Sequence, residues 1–302
     1  MECTIIEKKS IDWWISDVRM YYVNTHPEML SIFEIYAAEA IFGRYYISEE
    51  IDRLQSGAEI LEIGAGSFLL SCQLVREGFK VTALEPVNDG FSHLKKMRQI
   101  ILKRAEVLEC VPQHLDINAE ELQKENLFDF AFSVNVMEHV DDPFVVTANV
   151  IRSLTNGSYY RFCCPNYFFP YEPHFNIPTL FSKRFTETAF MKRILSCKTI
   201  PDPIGMWKSL NWINVVQVRK NMQLLPGAEL IFNRRFIVTT LERLDTDPSF
   251  ADRRSPVIRN ILAIFMKSGL HKLFRFTPLI MQPVMDCQLR KIDNAEVYSW
   301  RK

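Results

Sequence analysis

The middle of the chain alternates between short apolar runs and amphipathic segments. The apolar runs have the length and composition of buried strands, and the segments between them carry apolar residues at helical spacing. Strands are predicted at 58–66, 79–86, 108–115, 128–136 and 158–165. Alternation of this kind builds βαβ units, so we expect an α/β fold around a mostly parallel sheet.

The regions on either side of this alternation are more helical. Residues 11–55 carry helical periodicity. The aromatic and proline-rich stretch 165–178 cannot form a regular helix or a central strand, so we expect a structured loop there. Beyond it the pattern predicts helices at 180–195, 209–225 and 256–268, and strands at 229–232 and 283–291.

Composition and charge exclude several classes of protein. Across 302 residues, 36 basic side chains balance 36 acidic ones, so no overall field would attract nucleic acid or an anionic membrane. The seven cysteines show no spacing typical of zinc sites, and we expect them to be reduced. Neither a secretory h-region at the start nor 18 consecutive apolar residues occur, which predicts a soluble, cytoplasmic protein.

The turn after the first predicted strand is suited to a ligand. Gly64 and Gly66 let the backbone pass close to a bound molecule, where a Cβ would block the approach. The next helix, predicted to begin near Ser67, points its free N–H groups at the same space. Glu85 ends the second strand, where an acid can accept both ribose hydroxyls of a nucleoside.

These features alone also fit nicotinamide and flavin proteins. Three details favour a different ligand. Leu69 stands where the dinucleotide fingerprint has its third glycine, Glu62 could pair with the amino group of an amino-acid-like ligand, and Asp116 places a further acid after the third strand. Each acid alone would more often be a surface carboxylate or a helix cap, so the argument depends on their joint placement.

The segments LEIGAGSF, ALEP, HLDINAEEL and FDFAFSVNVMEHVDDP, in that order, resemble the successive motifs of class I S-adenosylmethionine-dependent methyltransferases. The resemblance implies a Rossmann-like, doubly wound, mostly parallel seven-stranded sheet. It also implies S-adenosylmethionine as cofactor, S-adenosylhomocysteine as product, and no metal. We divide the chain into an N-terminal helical lid at 1–57, a core at 58–245 with a substrate loop at 165–180, and a C-terminal helical extension at 246–302.

The resemblance further implies which residues bind the cofactor. They stand in the glycine turn and at the ends of the first four strands, namely Glu62, Gly64, Gly66, Phe68, Glu85, Pro86, Asp116, Ile117 and Asn135. In this family the turn holds the methionine part, which Glu62 would line, and Glu85 would hold the ribose. Asp116 would meet the adenine amino group, with Ile117 against the ring. Phe68 departs from the family, which often carries a third glycine at that position.

Two histidines are the candidate catalytic residues. Methyl transfer from a sulfonium is an in-line displacement whose leaving group the cofactor carries, so the protein mainly aims the nucleophile. A hydroxyl nucleophile benefits from a base with the pKa of histidine. His139 follows the fourth strand, where the family's methyl-transfer site opens, although it could equally pack against the following helix. His174 lies in the loop after the fifth strand.

The substrate loop follows the carboxyl end of the fifth strand, where open α/β sheets bind ligands. Its aromatic residues would form apolar walls, or would only cover the sheet. The candidate substrate-binding residues are Asn166, Tyr167, Tyr171, Glu172 and His174. The stretch also resembles bacterial methyltransferases of the broad small-molecule and glycan-modifying kind, which implies an oxygen nucleophile such as a sugar hydroxyl.

Two flanking regions have two interpretations each. Aromatic residues of the N-terminal helices, among them Trp14 and Tyr22, would form a lid over the cofactor or belong to the core. The C-terminal stretch would make a weak contact with a membrane surface or a lipid-linked substrate, or would pack as an ordinary amphipathic helix. Its basic residues are Arg253, Arg254, Arg259, Lys267, His271, Lys272 and Arg275.

The main hypothesis is methyl transfer to an oxygen of a small molecule or glycan. One alternative is an NAD(P)-dependent oxidoreductase, against which Leu69 argues. The other is a catalytically silent methyltransferase-like protein, against which the intact glycines and acids argue. Nucleic-acid methylation is disfavoured by the charge balance and by the lack of a DPPY- or NPPF-like segment after the fourth strand.

Overall fold

The structure, a computed structural model, describes residues 9–87, 92–180, 182–197, 200, 202–246 and 256–292. The chain divides into two compact units. Unit 1 comprises Met1–Val136, Val145–Arg161 and Arg290–Lys302, and unit 2 comprises Met137–Phe144 and Phe162–Leu289. The predicted division into a lid, a core and an extension stays a prediction.

The first half of the chain begins with three helices and then alternates strands with helices. The elements are α1 (Ile11–Thr25), α2 (Leu30–Tyr46), α3 (Ser48–Ile51), β1 (Glu59–Ile63), α4 (Leu69–Glu77), β2 (Lys80–Leu84), α5 (Ser92–Val107), β3 (Gln113–Leu115), β4 (Phe128–Val134) and α6 (Pro143–Ser153). The second half follows with β5 (Leu154–Pro165), α7 (Lys183–Leu195), α8 (Pro203–Ser209), α9 (Val215–Met222), β6 (Ala228–Phe232), α10 (Phe236–Thr246), α11 (Pro256–Lys267) and β7 (Val284–Lys291). Short 3-10 helices lie at 27–29, 119–121, 270–276 and 279–281.

The seven strands form one sheet in the order β3-β2-β1-β4-β5-β7-β6. β1 pairs in parallel with both β2 and β4, and β2 pairs in parallel with β3. Ile60 of β1 therefore lies opposite Val81 on one side and Phe130 on the other, and all three side chains are buried. Continuous burial on both faces explains why these strands are apolar runs. The predicted α/β class and seven-stranded, mostly parallel sheet are confirmed.

Several predicted element bounds are wrong. The helix expected at 209–225 begins only at Val215, because Ser209 ends α8 and residues 210–214 are not helical. Trp212 takes a positive φ of 64°, and the side chain of Asn214 caps α9 by accepting the N–H groups of Val216 and Gln217. Only 113–115 of the strand predicted at 108–115 is extended, and α4 begins at Leu69, later than expected.

The N-terminal helices contribute to the hydrophobic core of unit 1. Trp14 and Tyr22 have no exposed surface. The indole Nε1–H of Trp14 donates to the carbonyl of Leu69 over 2.9 Å, and the hydroxyl of Tyr22 donates to the carbonyl of Met97 over 3.2 Å. Both aromatic side chains are therefore core residues whose polar ends are satisfied.

The stretch 165–178 forms turns closed by an antiparallel bridge between Glu172 and Ile177, as the prediction of a structured loop requires. The six cysteines that the structure describes are free thiols, as expected. Within the described part of the chain, no helix combines the length and the apolar character needed to cross a bilayer.

Candidate functional site

The glycine turn of unit 1 connects β1 to α4 through five residues, three of which have a positive φ. Gly64 and Gly66 have φ values of 70° and 54°. A Cβ on Gly64 would also lie 2.6 Å from Cγ1 of Val136, so a side chain here would have to displace Val136 in addition to adopting a strained φ. Phe68, the N-cap of α4, has a φ of 69° although it is not a glycine.

Phe68 is held in this conformation by the packing of its side chain. The ring has no exposed surface. The guanidinium of Arg98 lies 4.8 Å from its centroid, and the imidazole of His114 meets it edge-on at 4.9 Å. The burial of the ring and its cation–π contact therefore offset the backbone strain at Phe68.

Glu85 follows β2 and is tied to the turn. Its carboxylate accepts the backbone N–H of Gly66 over 3.0 Å and lies 3.3 Å from the guanidinium of Arg98. Arg98 also donates to the carbonyl of Gly66 over 3.1 Å. Burial raises the pKa of Glu85, and the N–H of Gly66 opposes the shift. Sequence analysis did not find Arg98 or His114, because neither stands at a strand end.

Glu62 lies within β1 and is almost completely buried. The hydroxyl of Ser71 donates to its carboxylate. Burial raises the pKa of Glu62 to about 8, the Ser71 hydrogen bond opposes the shift, and the negative charge of Glu85 adds to it. A buried carboxyl with one hydrogen-bond donor would ionise readily only when a cation is placed beside it.

The remaining candidates of this site stand directly after β2, β3 and β4. Asp116 is exposed, and its carboxylate accepts the N–H of Val87 over 2.7 Å. Pro86 and Ile117 are half-buried, and Asn135 is exposed with a φ of 54°. Since β3, β2, β1 and β4 are neighbouring parallel strands, the structure brings all of these residues to one edge of the sheet.

The two candidate catalytic histidines lie together in unit 2. The ring centroids of His139 and His174 are 5.5 Å apart. Burial lowers the pKa of His139 to about 3, and the charges of His174 and Lys183 contribute. His139 is therefore a neutral imidazole, whose Nδ1 lies 2.9 Å from the hydroxyl of Ser209.

Glu172 orients His174. Its carboxylate has no exposed surface and accepts the Nδ1–H of His174 over 2.6 Å. It also accepts the backbone N–H groups of His174 and Phe175 and the hydroxyl of Tyr167. A buried carboxylate behind an imidazole fixes the tautomer with the proton on Nδ1 and leaves Nε2 as the acceptor nitrogen. Glu172 therefore has no exposed surface of its own, and its predicted contact with substrate stays a prediction.

The turn that carries His139 is fixed by Asn211. Its amide Nδ2 donates to the carbonyls of Met137 and Val140 over 2.7 and 2.8 Å. Its backbone N–H donates to the carbonyl of Glu138 over 2.8 Å. Sequence analysis found neither Asn211 nor Ser209, since nothing in the pattern of 203–214 connects these residues to the turn after β4.

Asn166 has a structural role in unit 2. Its two amide protons bond the carbonyls of Leu279 and Gln282, and its oxygen accepts the N–H groups of Phe168 and Val215. These four bonds use the whole capacity of an asparagine amide. The side chain is also buried, so we do not include it in the proposed acceptor site.

The two tyrosines of the loop differ in their surroundings. Tyr167 is buried and stacks on Trp212 with ring centroids 4.4 Å apart. Tyr171 is exposed, and its hydroxyl donates to the side-chain oxygen of Asn176. Of this pair, Tyr171 alone has a surface that an acceptor could contact directly.

Glu138 joins the histidine pair from the same turn as His139. One carboxylate oxygen lies 3.9 Å from Nε2 of His139. Donor atoms of Glu138, His139 and His174 all lie within 4.8 Å of one another. One carboxylate and two imidazoles can hold a divalent cation as well as accept a proton, so the cluster has two chemical uses.

The parallel sheet and the glycine turn after β1 together define a class of α/β protein. Proteins of this class bind nucleotide-like ligands at the carboxyl ends of the strands. Residues 39–187 match the family described as a methyltransferase domain. An uncharacterised protein of Mycobacterium tuberculosis strain H37Rv is 41% identical over 281 residues, which cover 93% of this chain and 95% of that protein. Residues 39–187 are therefore a class I S-adenosylmethionine-dependent methyltransferase domain, which confirms the family inferred from the motifs. The chain as a whole belongs to one family with the mycobacterial protein.

More distant similarities extend the comparison. The ubiquinone biosynthesis O-methyltransferase of Rickettsia akari is 26% identical over 157 residues, 51% of this chain and 55% of that protein. Haemonchus contortus phosphoethanolamine N-methyltransferase 2, solved with S-adenosyl-L-methionine, has a TM-score of 0.49 and 17% identity, covering 91% of this chain and 60% of that one. An S-adenosylmethionine-dependent methyltransferase of Mesorhizobium loti has a TM-score of 0.48 and 14% identity, covering 81% and 97%.

Proposed function

We propose that this methyltransferase transfers the methyl group of S-adenosylmethionine to an oxygen of a small-molecule or glycan acceptor, with His174 as the base. The observation that carries the proposal is the hydrogen bond between Glu172 and Nδ1 of His174, beside the neutral imidazole of His139. A base held in one tautomer by a buried carboxylate suits deprotonation of a hydroxyl. A nitrogen acceptor with its own lone pair has less need of such a base.

The cofactor would bind at the glycine turn of unit 1. Glu62 would ionise when the ammonium of the methionine part pairs with it, because the cation removes the cost of a buried charge. Glu85 would exchange its contact with Arg98 for the ribose hydroxyls while it keeps the N–H of Gly66. Asp116, already exposed, would accept from the adenine amino group, with Ile117 against the ring.

The reaction would proceed by in-line displacement. The acceptor oxygen forms a bond to the methyl carbon while the carbon–sulfur bond breaks, and the electron pair of that bond stays on sulfur. S-adenosylhomocysteine leaves as a neutral thioether, and the proton of the hydroxyl goes to Nε2 of His174. His139 contributes as a neutral neighbour that does not repel the imidazolium formed on His174.

Calorimetry with S-adenosylmethionine and S-adenosylhomocysteine is the first test, followed by transfer of a tritiated methyl group into small-molecule and glycan fractions. We expect both ligands to bind and the label to enter an alkali-stable ether. Failure of both ligands to bind would overturn the proposal. Saturable binding of NADH would favour the oxidoreductase alternative, and cofactor binding without transfer to any fraction would favour a catalytically silent protein.

A further inference from the structure

A segment near the C-terminal end of unit 2 carries charged side chains of one sign only. Residues 253–285 include six lysines and arginines and no aspartate or glutamate, although the whole chain is balanced at 36 of each sign. Arg253 and Arg254 lie outside the described residues, and α11 and the 3-10 helix at 270–276 contain the described part. Lys267, Lys272 and Arg275 are exposed there. The segment is therefore a local basic surface on a neutral protein.

The 3-10 helix sorts its side chains into three stripes, because residues three apart lie above one another at about three residues per turn. Leu270, Leu273 and Phe276 form the first stripe, and they are 47%, 59% and 67% exposed. Lys272 and Arg275 form the second stripe. An exposed apolar row thus lies directly beside a basic row.

The third stripe fixes the orientation of the helix. His271 is buried, with Nε2 3.4 Å from the carboxylate of Glu242 on α10. Phe274 packs against Phe265 of α11 with ring centroids 5.4 Å apart. Since His271 and Phe274 are anchored, Leu270, Leu273 and Phe276 cannot turn inward without breaking these contacts.

Further apolar side chains are exposed in the elements that precede and follow this helix along the chain. Ile264 of α11 is 70% exposed, and Ile280 and Met281 on the next 3-10 turn are also exposed. Single exposed apolar residues are ordinary on protein surfaces, whereas a row of three with flanking members indicates a docking surface. We call Leu270, Leu273, Phe276, Lys272 and Arg275 the docking stripe.

We infer that the docking stripe binds the surface of an anionic lipid bilayer. Apolar side chains that enter the boundary between headgroups and acyl chains, with cations beside them at the level of the phosphates, match both rows. A nucleic acid would meet the basic row but leave Leu270, Leu273 and Phe276 against water. The inference is independent of the proposed methyl transfer, because it uses no residue of either candidate site.

Sedimentation of the full-length protein with vesicles tests the inference. Phosphatidylcholine vesicles with and without phosphatidylglycerol are compared at low and high salt. We expect binding to be roughly tenfold stronger with phosphatidylglycerol, and to weaken with salt, because the attraction is partly electrostatic. This comparison needs no variant. Equal binding to both vesicles, or binding to neither, would overturn the inference.

Matched variants compare the docking stripe with other exposed apolar and basic residues of unit 2. Leu273→Asp with Phe276→Asp should weaken vesicle binding roughly tenfold or more. Phe185→Asp with Leu224→Asp, at apolar positions elsewhere in unit 2 that are at least as exposed, should leave vesicle binding unchanged. Lys272→Glu with Arg275→Glu should weaken binding, whereas Lys192→Glu with Arg193→Glu on α7 gives the same net charge and should not. Melting temperatures and S-adenosylmethionine binding confirm that each variant is folded.

The alternative binding partner of the docking stripe is a second copy of the chain. Light scattering at increasing concentration would then show a dimer that Leu273→Asp with Phe276→Asp dissociates. A dimer of this kind, together with no preference for phosphatidylglycerol, would replace the membrane inference. Monomeric protein that sediments with anionic vesicles supports it.

Discussion

The Nδ1–H of His174 donates to the buried carboxylate of Glu172 over 2.6 Å, and the two residues are only two positions apart. Such a short connection makes the pair a local feature of the loop, closed by the bridge between Glu172 and Ile177. The proposed base is therefore held by its own loop, and the loop can be tested directly by substitution.

His174→Ala should lower kcat by about 10²–10⁴-fold, because it removes the proton acceptor. Affinity for S-adenosylmethionine should not change, and added imidazole should restore part of the rate. Glu172→Gln keeps the shape of the side chain, and we expect a smaller loss in kcat with little change in KM. His26→Ala, at the start of the 3-10 turn after α1, is the control. Equal losses in kcat and cofactor affinity would indicate a structural role for His174 instead.

Metal dependence separates the two chemical uses of the cluster of Glu138, His139 and His174. If His174 acts as a base, dialysis against EDTA should leave the rate unchanged. Excess Zn²⁺ should inhibit, since the ion would take the imidazole lone pairs. Rates measured after EDTA treatment, and after adding back Mg²⁺, Mn²⁺ or Zn²⁺, check this. Loss of activity in EDTA with recovery on Mn²⁺ would show that the cluster works by binding a cation.

The positions of the candidate cofactor residues in unit 1 could be predicted from short sequence segments. A glycine turn after a strand and an acid at a strand end each depend on only a few neighbouring residues. Glu62, Gly64, Gly66, Glu85 and Asp116 stand at the edge of the sheet that the alternation of strands and helices predicts. Family and fold are confirmed, whereas the roles of the individual residues stay predictions until the experiments above are done.

The surroundings of His139 and His174 in unit 2 were harder to predict, because the contacts there join residues that are far apart in the sequence. Asn211 fixes the turn at Met137–Val140 from 71 positions away, and Asn166 bonds residues at the far end of unit 2. A polar residue in an aromatic loop suggests ligand binding, yet the amide of Asn166 is fully used by backbone groups. Such bonds depend on tertiary packing, which hydrophobic periodicity does not encode.

Glu62 should make the free energy of unfolding fall as the pH rises. The carboxyl keeps its proton in the folded state up to about pH 8 but loses it near its ordinary pKa of 4.5 when unfolded. The unfolded state therefore binds fewer protons between these values, and the free energy of unfolding falls by up to about 1.4 kcal/mol per pH unit in that window. Glu62→Gln should remove this contribution.

Urea denaturation of the wild type and Glu62→Gln at several pH values between 5 and 8 measures this difference. We expect the variant to gain stability relative to wild type as pH rises, and Glu106→Gln, at an exposed position on α5, to show no such trend. Parallel curves for all three proteins would mean that Glu62 is ionised in the folded protein. Calorimetry at the same pH values should show weaker S-adenosylmethionine binding to Glu62→Gln, because the amide cannot pair with the ammonium.

Substitutions of Phe68 test whether its positive φ costs stability. The buried ring favours keeping phenylalanine, whereas the backbone conformation favours glycine. Removing the buried ring should cost about 3–5 kcal/mol in Phe68→Ala. Phe68→Gly loses the same ring but relieves a φ of 69°, which alanine tolerates less well by about 1 kcal/mol. We therefore expect the glycine variant to be more stable than the alanine variant.

Leu69 provides the control, since it is equally buried but lies in the first turn of α4. There the order should reverse, with glycine less stable than alanine by about 0.5–1 kcal/mol. Unfolding of the four variants in urea measures both differences. If Phe68→Gly were also the less stable of its pair, the positive φ would carry no cost, and packing against Arg98 and His114 would be the whole reason for a phenylalanine where the family often has glycine.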